Sequence, residues 1–358
     1  MSTNTHSYST ANGTDTCVDD SVLGLPLAIF YSIFFVFGLL GNGLALWVFI
    51  FVHGKKNSVR VFLINIAVAD LLLVACLPFR VIYHSIGNRW TLGPILCKMV
   101  GNIFYMNMYI SITLLGFISV DRYIKIHRGS GRRLLRSHWS TLLCGIIWTV
   151  SITAIIPMIT LSEGNEEEEK CFQYKQKKNA KGKAYFNLVM VAIFWLIFLL
   201  LIISYGKIAM KLLEASKNNL PNAIKYNRTA KKSFFVLFLF TICFCPYHVF
   251  RIFYIHSQIT EPSCQVKNIV DKTNEVMLLL STFNSCLDPV MYFLLSGSVR
   301  KATMRILSNF FQVQEISGNS SSTELRRASV PQVSSTPRNS ISLLITQRCK
   351  ASPTSFRR

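Results

Sequence analysis

Six ionisable residues stand inside stretches that are otherwise almost wholly apolar: Asp70, Arg80, Arg122, Arg251, Glu275 and Asp288. A charge in such surroundings is costly, which makes each a candidate for function. Asp70 and Asp288, with Asn107, Ser111 and Asn284 as oxygen donors, compose a set that could hold a hydrated sodium ion or a proton. The competing reading is a polar network that only bridges helices, to which Asn42 would also belong. Arg80 and Arg251 offer guanidinium forks, which bind phosphate or carboxylate bidentately. Glu275 and Asn274 could take an ammonium. His248 and Arg251 are spaced i,i+3 on one helical face, and Tyr83, Tyr105, Tyr109 and Tyr254 could wall a vestibule around them. Their plainer alternatives are an Arg251–Glu275 ion pair and an aromatic belt at a membrane interface. Arg122, between Asp121 and Tyr123, is a guanidinium that could exchange its neighbouring carboxylate for another partner and so act as a switch. A snorkelling arginine at a helix end is the alternative.

Seven apolar stretches carry these residues, over approximately 25–52, 60–84, 94–127, 139–161, 184–212, 229–258 and 268–295. About 20 helical residues cross roughly 30 Å of hydrocarbon, so the expected fold is all-α, a seven-transmembrane helix bundle. The composition agrees, with 51% hydrophobic and 15% charged residues in 358. The expected organisation is a tail at 1–24, the membrane domain at 25–295, a short amphipathic helix at 296–311 and a disordered tail at 312–358.

The net charge of +21 could point to nucleic acid, but its placement excludes that reading. No Lys or Arg precedes Lys55, and basic clusters then follow the first span (Lys55, Lys56, Arg60), the third (Arg122 to Arg136), the fifth (Lys211 to Lys232) and the seventh (Arg300, Lys301, Arg305). Every second connection is basic, which places those loops inside and the N-terminus outside. The 162–183 connection also holds several lysines, offset by Glu163 and Glu166 to Glu169. Residues 1–24 lack the pattern of a removable leader, so the first span is expected to serve as its own signal. Asn12-Gly13-Thr14 is then an outer glycosylation sequon.

Ten cysteines sort by depth. Only outer ones pair stably, which leaves Cys17, Cys97, Cys171 and Cys264. A Cys97–Cys171 bond would pin the fourth-to-fifth loop over the bundle, and Cys17 with Cys264 would tie the tail to the last outer loop; free thiols are the alternative. Arg122 lies about 37 Å from Cys97 along a helix, which sets it at the inner mouth. Pro246 falls in mid-helix, where the lost backbone bond kinks the rod. Arg80 is about 15 Å outward of Asp70. After Tyr292, Val299, Ala302, Thr303, Ile306, Leu307, Phe310 and Phe311 repeat at helical spacing, as in a helix lying on membrane lipids. The Ser/Thr clusters beyond residue 312 are candidate phosphorylation sites for arrestin recruitment, the alternative being a solubilising tail.

Gly41-Asn42, Ala67-Val68-Ala69-Asp70, Asp121-Arg122-Tyr123, Trp148, Cys243-x-Cys245-Pro246 and Asp288-Pro289-Val290-Met291-Tyr292 resemble the rhodopsin-like G-protein-coupled receptor pattern, from residue 25 to about 311. His248-x-x-Arg251 with four outer cysteines resembles its purinergic-receptor-like group, which includes nucleotide and lysophospholipid receptors. Trp90 to Gly93, Phe104 to Ser111, Cys171-Phe172 and Lys272 to Glu275 are most similar to the lysophosphatidylserine-receptor branch. The resemblance implies a small anionic ligand, lysophosphatidylserine first and a nucleotide as the alternative, and a heterotrimeric G protein of the inhibitory type. It implies a moving inner mouth built from Arg122, Tyr205, Pro289 and Tyr292, with a toggle at Phe244 and a pivot at Pro246. The sequence departs from the pattern at Phe244, where tryptophan is common, at Asp288, where asparagine is common, and in the fifth span, which lacks a proline near Ile197 and Phe198. No Asp or Glu occurs between Ala215 and Cys245, so no acidic latch can reach Arg122 and high basal signalling is expected.

Two other classes fit less well. An ion-coupled transporter would need intramembrane charge too, but there is no internal repeat and no pair of broken helices. An enzyme is weaker still, since His248 is a lone candidate base without spaced metal ligands or a nucleophile. No cofactor is expected, and no metal beyond the candidate sodium.

Overall fold

In hydrocarbon a backbone must satisfy its own hydrogen bonds, so apolar runs of this length become helices. The computed structural model describes residues 21–52, 58–127, 137–160, 171–174, 177, 181–218, 223–297, 299–306 and 308. Asn12, Cys17, the Glu166 to Glu169 run and the hydroxyl clusters of the C-terminal tail lie outside them. The elements are α1 (Ser21–Trp47), which runs on as a π-helical turn (Val48–Val52), α2 (Ser58–Ser85), α3 (Pro94–His127), α4 (Ser137–Thr160), α5 (Lys181–Lys217), α6 (Ala223–Ile259), α7 (Cys264–Thr282) and α8 (Asn284–Leu295). Seven spans are long and apolar enough to cross a bilayer, with α7 and α8 together forming the seventh. The all-α, seven-span expectation is met.

Two elements differ from the apolar stretches in instructive ways. Helices α5 and α6 are 37 residues each, because polar and basic residues prolong them past the apolar run. The seventh span is divided at Phe283, where Cys286 N–H bonds the Phe283 carbonyl in a tightened i→i+3 turn at 3.0 Å. Pro289 explains the disturbance. It cannot donate to the carbonyl four residues back, that of Ser285, and Asn42 Nδ2 of α1 donates there instead at 2.8 Å. The Pro289 ring presses so close to α1 that a Cβ on Gly41 would fall 2.5 Å from its Cγ. Gly41-Asn42 and Pro289 are thus one packing device in two helices.

Around Pro246, which withholds a donor from the Ile242 carbonyl, two adjacent carbonyls take side-chain donors. Ser281 of α7 donates to the Cys243 carbonyl at 3.1 Å, and His248 Nδ1 donates to that of Phe244 at 2.8 Å. Trp148 Nε1 donates to Asn65 Oδ1 at 2.9 Å and fastens α4 to α2. Helix α4 packs on α2 and α3, with no comparable packing against α5. Its outer face carries exposed Leu142, Ile146 and Val150, as α5 does Leu196 and Leu199, a surface suited to lipid. The main core lies between α2, α3, α5, α6 and α8, around Phe62, Ile66, Leu115, Phe240 and Tyr292. Past Ser296, residues 299–306 are helical and bury Val299 and Ala302.

Candidate functional site

At the end of the bundle marked by Cys97, the loop between α4 and α5 is fixed at both of its described ends. Cys171 is disulfide-bonded to Cys97. Phe172 adopts a left-handed backbone, φ 60, and its ring meets the Tyr83 and Trp90 rings edge-on at 5.3 and 5.5 Å. Tyr174 Oη donates to the Ser257 carbonyl at 2.5 Å, and Lys177 N–H to that of Gln258 at 2.8 Å. The loop therefore straps α3 to the last turn of α6. Cys264 is also disulfide-bonded.

Beneath this strap lies a cavity of about 330 Å³, within the range of small-molecule sites. Its polar wall holds Arg80 of α2, Lys98, Tyr105 and Tyr109 of α3, Lys177 of the loop, Lys183 and Asn187 of α5, Tyr247, Arg251 and Tyr254 of α6, and Asn274 and Glu275 of α7. Its apolar arm runs to Ala154, Ile155 and Met158 of α4 and Phe186 and Met190 of α5. The arm thus points at the seam where α4 and α5 pack least.

The charges inside are arranged unequally. Arg80 Nη1 donates to Glu275 Oε2 at 2.9 Å, with its guanidinium over the Phe104 and Phe172 rings at 4.2 and 4.3 Å. Arg251 meets neutral groups instead: Asn274 Oδ1 at 3.1 Å, Asn187 Oδ1 at 3.5 Å and the Tyr254 ring at 4.7 Å. The alternative reading of an Arg251–Glu275 ion pair is therefore not met, since Glu275 pairs with Arg80. Successive helical residues point about 100° apart, so Asn274 turns to α6 and Glu275 to α2. Lys177 lies partly buried near Arg251 and Lys183, and burial with those two cations lowers its ammonium to about 7.

Deeper in the bundle, Asp70 and Asp288 are buried close to one another, with Asn107 beside Asp70. Tyr292 Oη donates to Asp70 Oδ2 at 3.3 Å and Asn284 Nδ2 to Asp288 Oδ2 at 2.8 Å. Two buried carboxyls this close repel when both are charged, which a shared proton or a cation would relieve. Ser111 is buried on α3, and its hydroxyl has no partner among the described residues. At the opposite end, Tyr205 and Ser119 share a hydrogen bond between α5 and α3. Arg122 Nε has no partner among the described residues, Lys207 sits 5.5 Å over the Tyr123 ring, and the α6 sequence carries no Asp or Glu at all. Phe244 is buried against Phe240, ring centres 5.3 Å apart.

Residues 41–292 match the family model described as 7 transmembrane receptor (rhodopsin family). The chain belongs to that family. Its receptor class rests further on similar proteins along most of its length. It is 52% identical over 320 residues to the mouse protein named Probable G-protein coupled receptor 34 (Mus musculus), covering 88% of this chain and 85% of that one. It is 33% identical over 315 residues to a purinoceptor of Bos taurus, covering 86% and 92%. The Uracil nucleotide/cysteinyl leukotriene receptor of Rattus norvegicus is 33% identical over 304 residues, covering 84% and 87%. The molecule is therefore a multi-pass plasma-membrane receptor of the purinergic-like group, coupled to a G protein and addressed by a small-molecule ligand, and it is not an enzyme.

In this receptor the geometry gathers most, not all, of the residues expected at the vestibule. Arg80, Tyr105, Tyr109, Arg251, Tyr254, Asn274 and Glu275 line the cavity. Tyr83 instead faces a much smaller one, with His84, Asn88 and Asp271. His248 is corrected as well: it is fully buried with its ring stacked on Phe194, centroids 3.6 Å apart. Three helical steps leave about a 60° offset, enough to turn His248 to α5 while Arg251 faces the cavity. Lys98, Lys177, Lys183, Asn187 and Tyr247 join the wall without having been expected there. Lys177 and Lys183 do carry a signal in the sequence, but the glutamates of the same connection cancel it in any sum of charge, whereas the cavity wall meets the lysines individually.

Proposed function

We propose that this receptor is activated by lysophosphatidylserine and signals through an inhibitory-type G protein. The observation that carries the reading is a paired Arg80–Glu275 and an Arg251 that meets no carboxylate among the described residues, in one cavity that also owns an apolar arm. An amino-acid head group presents a carboxylate and an ammonium together, and a pre-formed guanidinium–carboxylate pair is its mirror image. The ligand carboxylate exchanges onto Arg80, the ammonium onto Glu275 with Asn274, and the phosphodiester onto Arg251, each a charge-assisted contact in a shielded site. The acyl chain fills the arm between α4 and α5 and enters from the lipid.

Ligand binding shifts the bundle toward the form it binds more tightly, with Pro246 as pivot, Phe244 as toggle, and Arg122, Tyr205 and Tyr292 as the surface opened to the G protein. The Cys97 end faces outward, with Asn12 glycosylated, and the basic connections face the cytoplasm, where a phosphorylated tail recruits arrestin. The Cys17–Cys264 bond completes the outer surface. Without an acidic latch the basal signal is high.

The nucleotide reading is supported by the names of the 33% identical relatives and by the surplus of basic side chains at the wall. Glu275 counts against it, since a carboxylate beside Arg80 repels clustered phosphates. Nucleotide exchange on a purified G protein decides, with lysophosphatidylserine, other lysophospholipids and nucleoside diphosphates as the panel. Lysophosphatidylserine is expected to stimulate exchange, and Arg251→Ala to lower its potency at least tenfold, about 1.5–3 kcal/mol for a charged hydrogen bond. Stimulation by nucleotides alone, or unchanged potency in Arg251→Ala, overturns the reading.

A further inference from the structure

The charges of Arg80 and Glu275 offset one another, so the net positive charge of the cavity lies on the other side, at Arg251. That side is assembled from three elements: Arg251 on α6, Lys183 on α5 and Lys177 in the loop, all on the cavity wall. The main chain of Lys177 is held by its N–H···O=C bond to Gln258 at 2.8 Å, about two turns beyond Arg251, so its short tether keeps the amine at this wall. The Arg251 guanidinium rests on amide oxygens and tyrosine rings, and no carboxylate among the described residues is paired with it.

We infer that Lys177, Arg251 and Lys183 form a subsite for the phosphate group of the ligand, and that a proton is taken up at Lys177 as the phosphate docks. Like charges in a partly buried cluster repel, and the cheapest relief is loss of the proton from the lysine, because an arginine cannot lose its own. The position of Lys177 near 7 agrees with this. The remaining titratable groups of the cavity wall are Lys98, Tyr105 and Tyr109 of α3, Tyr247 and Tyr254 of α6, and Glu275 of α7, with Asp271 of α7 on the smaller cavity; Glu275 is paired with Arg80. An incoming phosphate restores the balance and raises Lys177. Binding is then strongest below the free-state value and weakens as pH rises through it, until the bound-state value is reached. The identity of the phosphate donor rests on the lysophosphatidylserine reading; the subsite does not.

Binding of labelled lysophosphatidylserine to purified receptor in nanodiscs tests this between pH 6 and pH 8. The charged fraction of Lys177 falls there from about nine tenths to about one tenth, so the Kd should rise about tenfold. Lys177→Arg should hold the tight value across the range and Lys177→Gln the weak one. A flat wild-type profile, or a slope that survives in Lys177→Arg, overturns the inference. A second measurement needs no lipid bound: with lysines labelled as ¹³C-dimethylamines, the resonance missing from Lys177→Arg should titrate near 7 and move up when lysophosphatidylserine or a nucleoside diphosphate is added. Titration in the ordinary range, about 10.4, or no movement with either anion, ends the proposal. Movement with the nucleotide alone upholds the subsite while removing lysophosphatidylserine as its ligand.

Discussion

At the scale of single residues, Asp70 and Asp288 show what a polar inventory can and cannot determine. That both are intramembrane carboxylates follows from the sequence; that they come close follows only from the packing of α2, α3 and α8, which brings Tyr292, Asn107 and Asn284 around the same pair. Two buried carboxyls this close carry one negative charge when they share a proton and two when a sodium ion replaces it, so the ion would compete with a shared proton. A sodium ion held more tightly by the inactive form opposes the agonist, so agonist affinity should fall when sodium chloride replaces choline chloride. In Asp70→Asn one of the two carboxylates is gone, and the response to sodium should vanish; equal sodium sensitivity in both proteins defeats the site. The same limit on legibility applies to Arg251 and Glu275. Both are identifiable from the sequence as vestibule charges, yet which arginine Glu275 faces depends on a 100° step between adjacent α7 residues that spacing to other helices does not encode.

At the scale of elements, the seven spans are readable because hydrocarbon imposes one solution on a long apolar run. The division of the seventh at Phe283 is not, since its cause is shared between helices. Pro289 withholds a donor, and only the arrival of Asn42 from α1 makes the loss tolerable. This coupling predicts a specific pattern of stability. Asn42→Ala strands the buried Ser285 carbonyl, at about 1–3 kcal/mol, and should lower the melting temperature of the detergent-solubilised receptor by about 2–8 °C. Adding Pro289→Ala returns an N–H to the helix and should recover part of that loss, although Pro289→Ala alone creates a gap against Gly41. A double variant less stable than Asn42→Ala would show that Asn42 serves Pro289 in no such way.

At the scale of the whole molecule, the helices divide the cavity between two solvents. The strap from Cys171 to Lys177 closes the polar half toward α6, while the loose seam between α4 and α5 leaves the apolar half next to lipid. A head group with fixed charges and a tail of variable length would then be read by different walls, and their contributions should separate. Ala154 lies on the α4 side of the arm, where Ala154→Trp would fill space and leaves every charged residue of the wall in place. Long-chain lysophosphatidylserine should lose potency at least tenfold in that variant, because each methylene kept out of the arm forfeits about 0.8 kcal/mol and two suffice. A short-chain analogue, which reaches the charges and not the arm, should be nearly unaffected. Equal losses for both lengths would place the tail elsewhere, and no loss for either would mean that the arm is not where the chain lies.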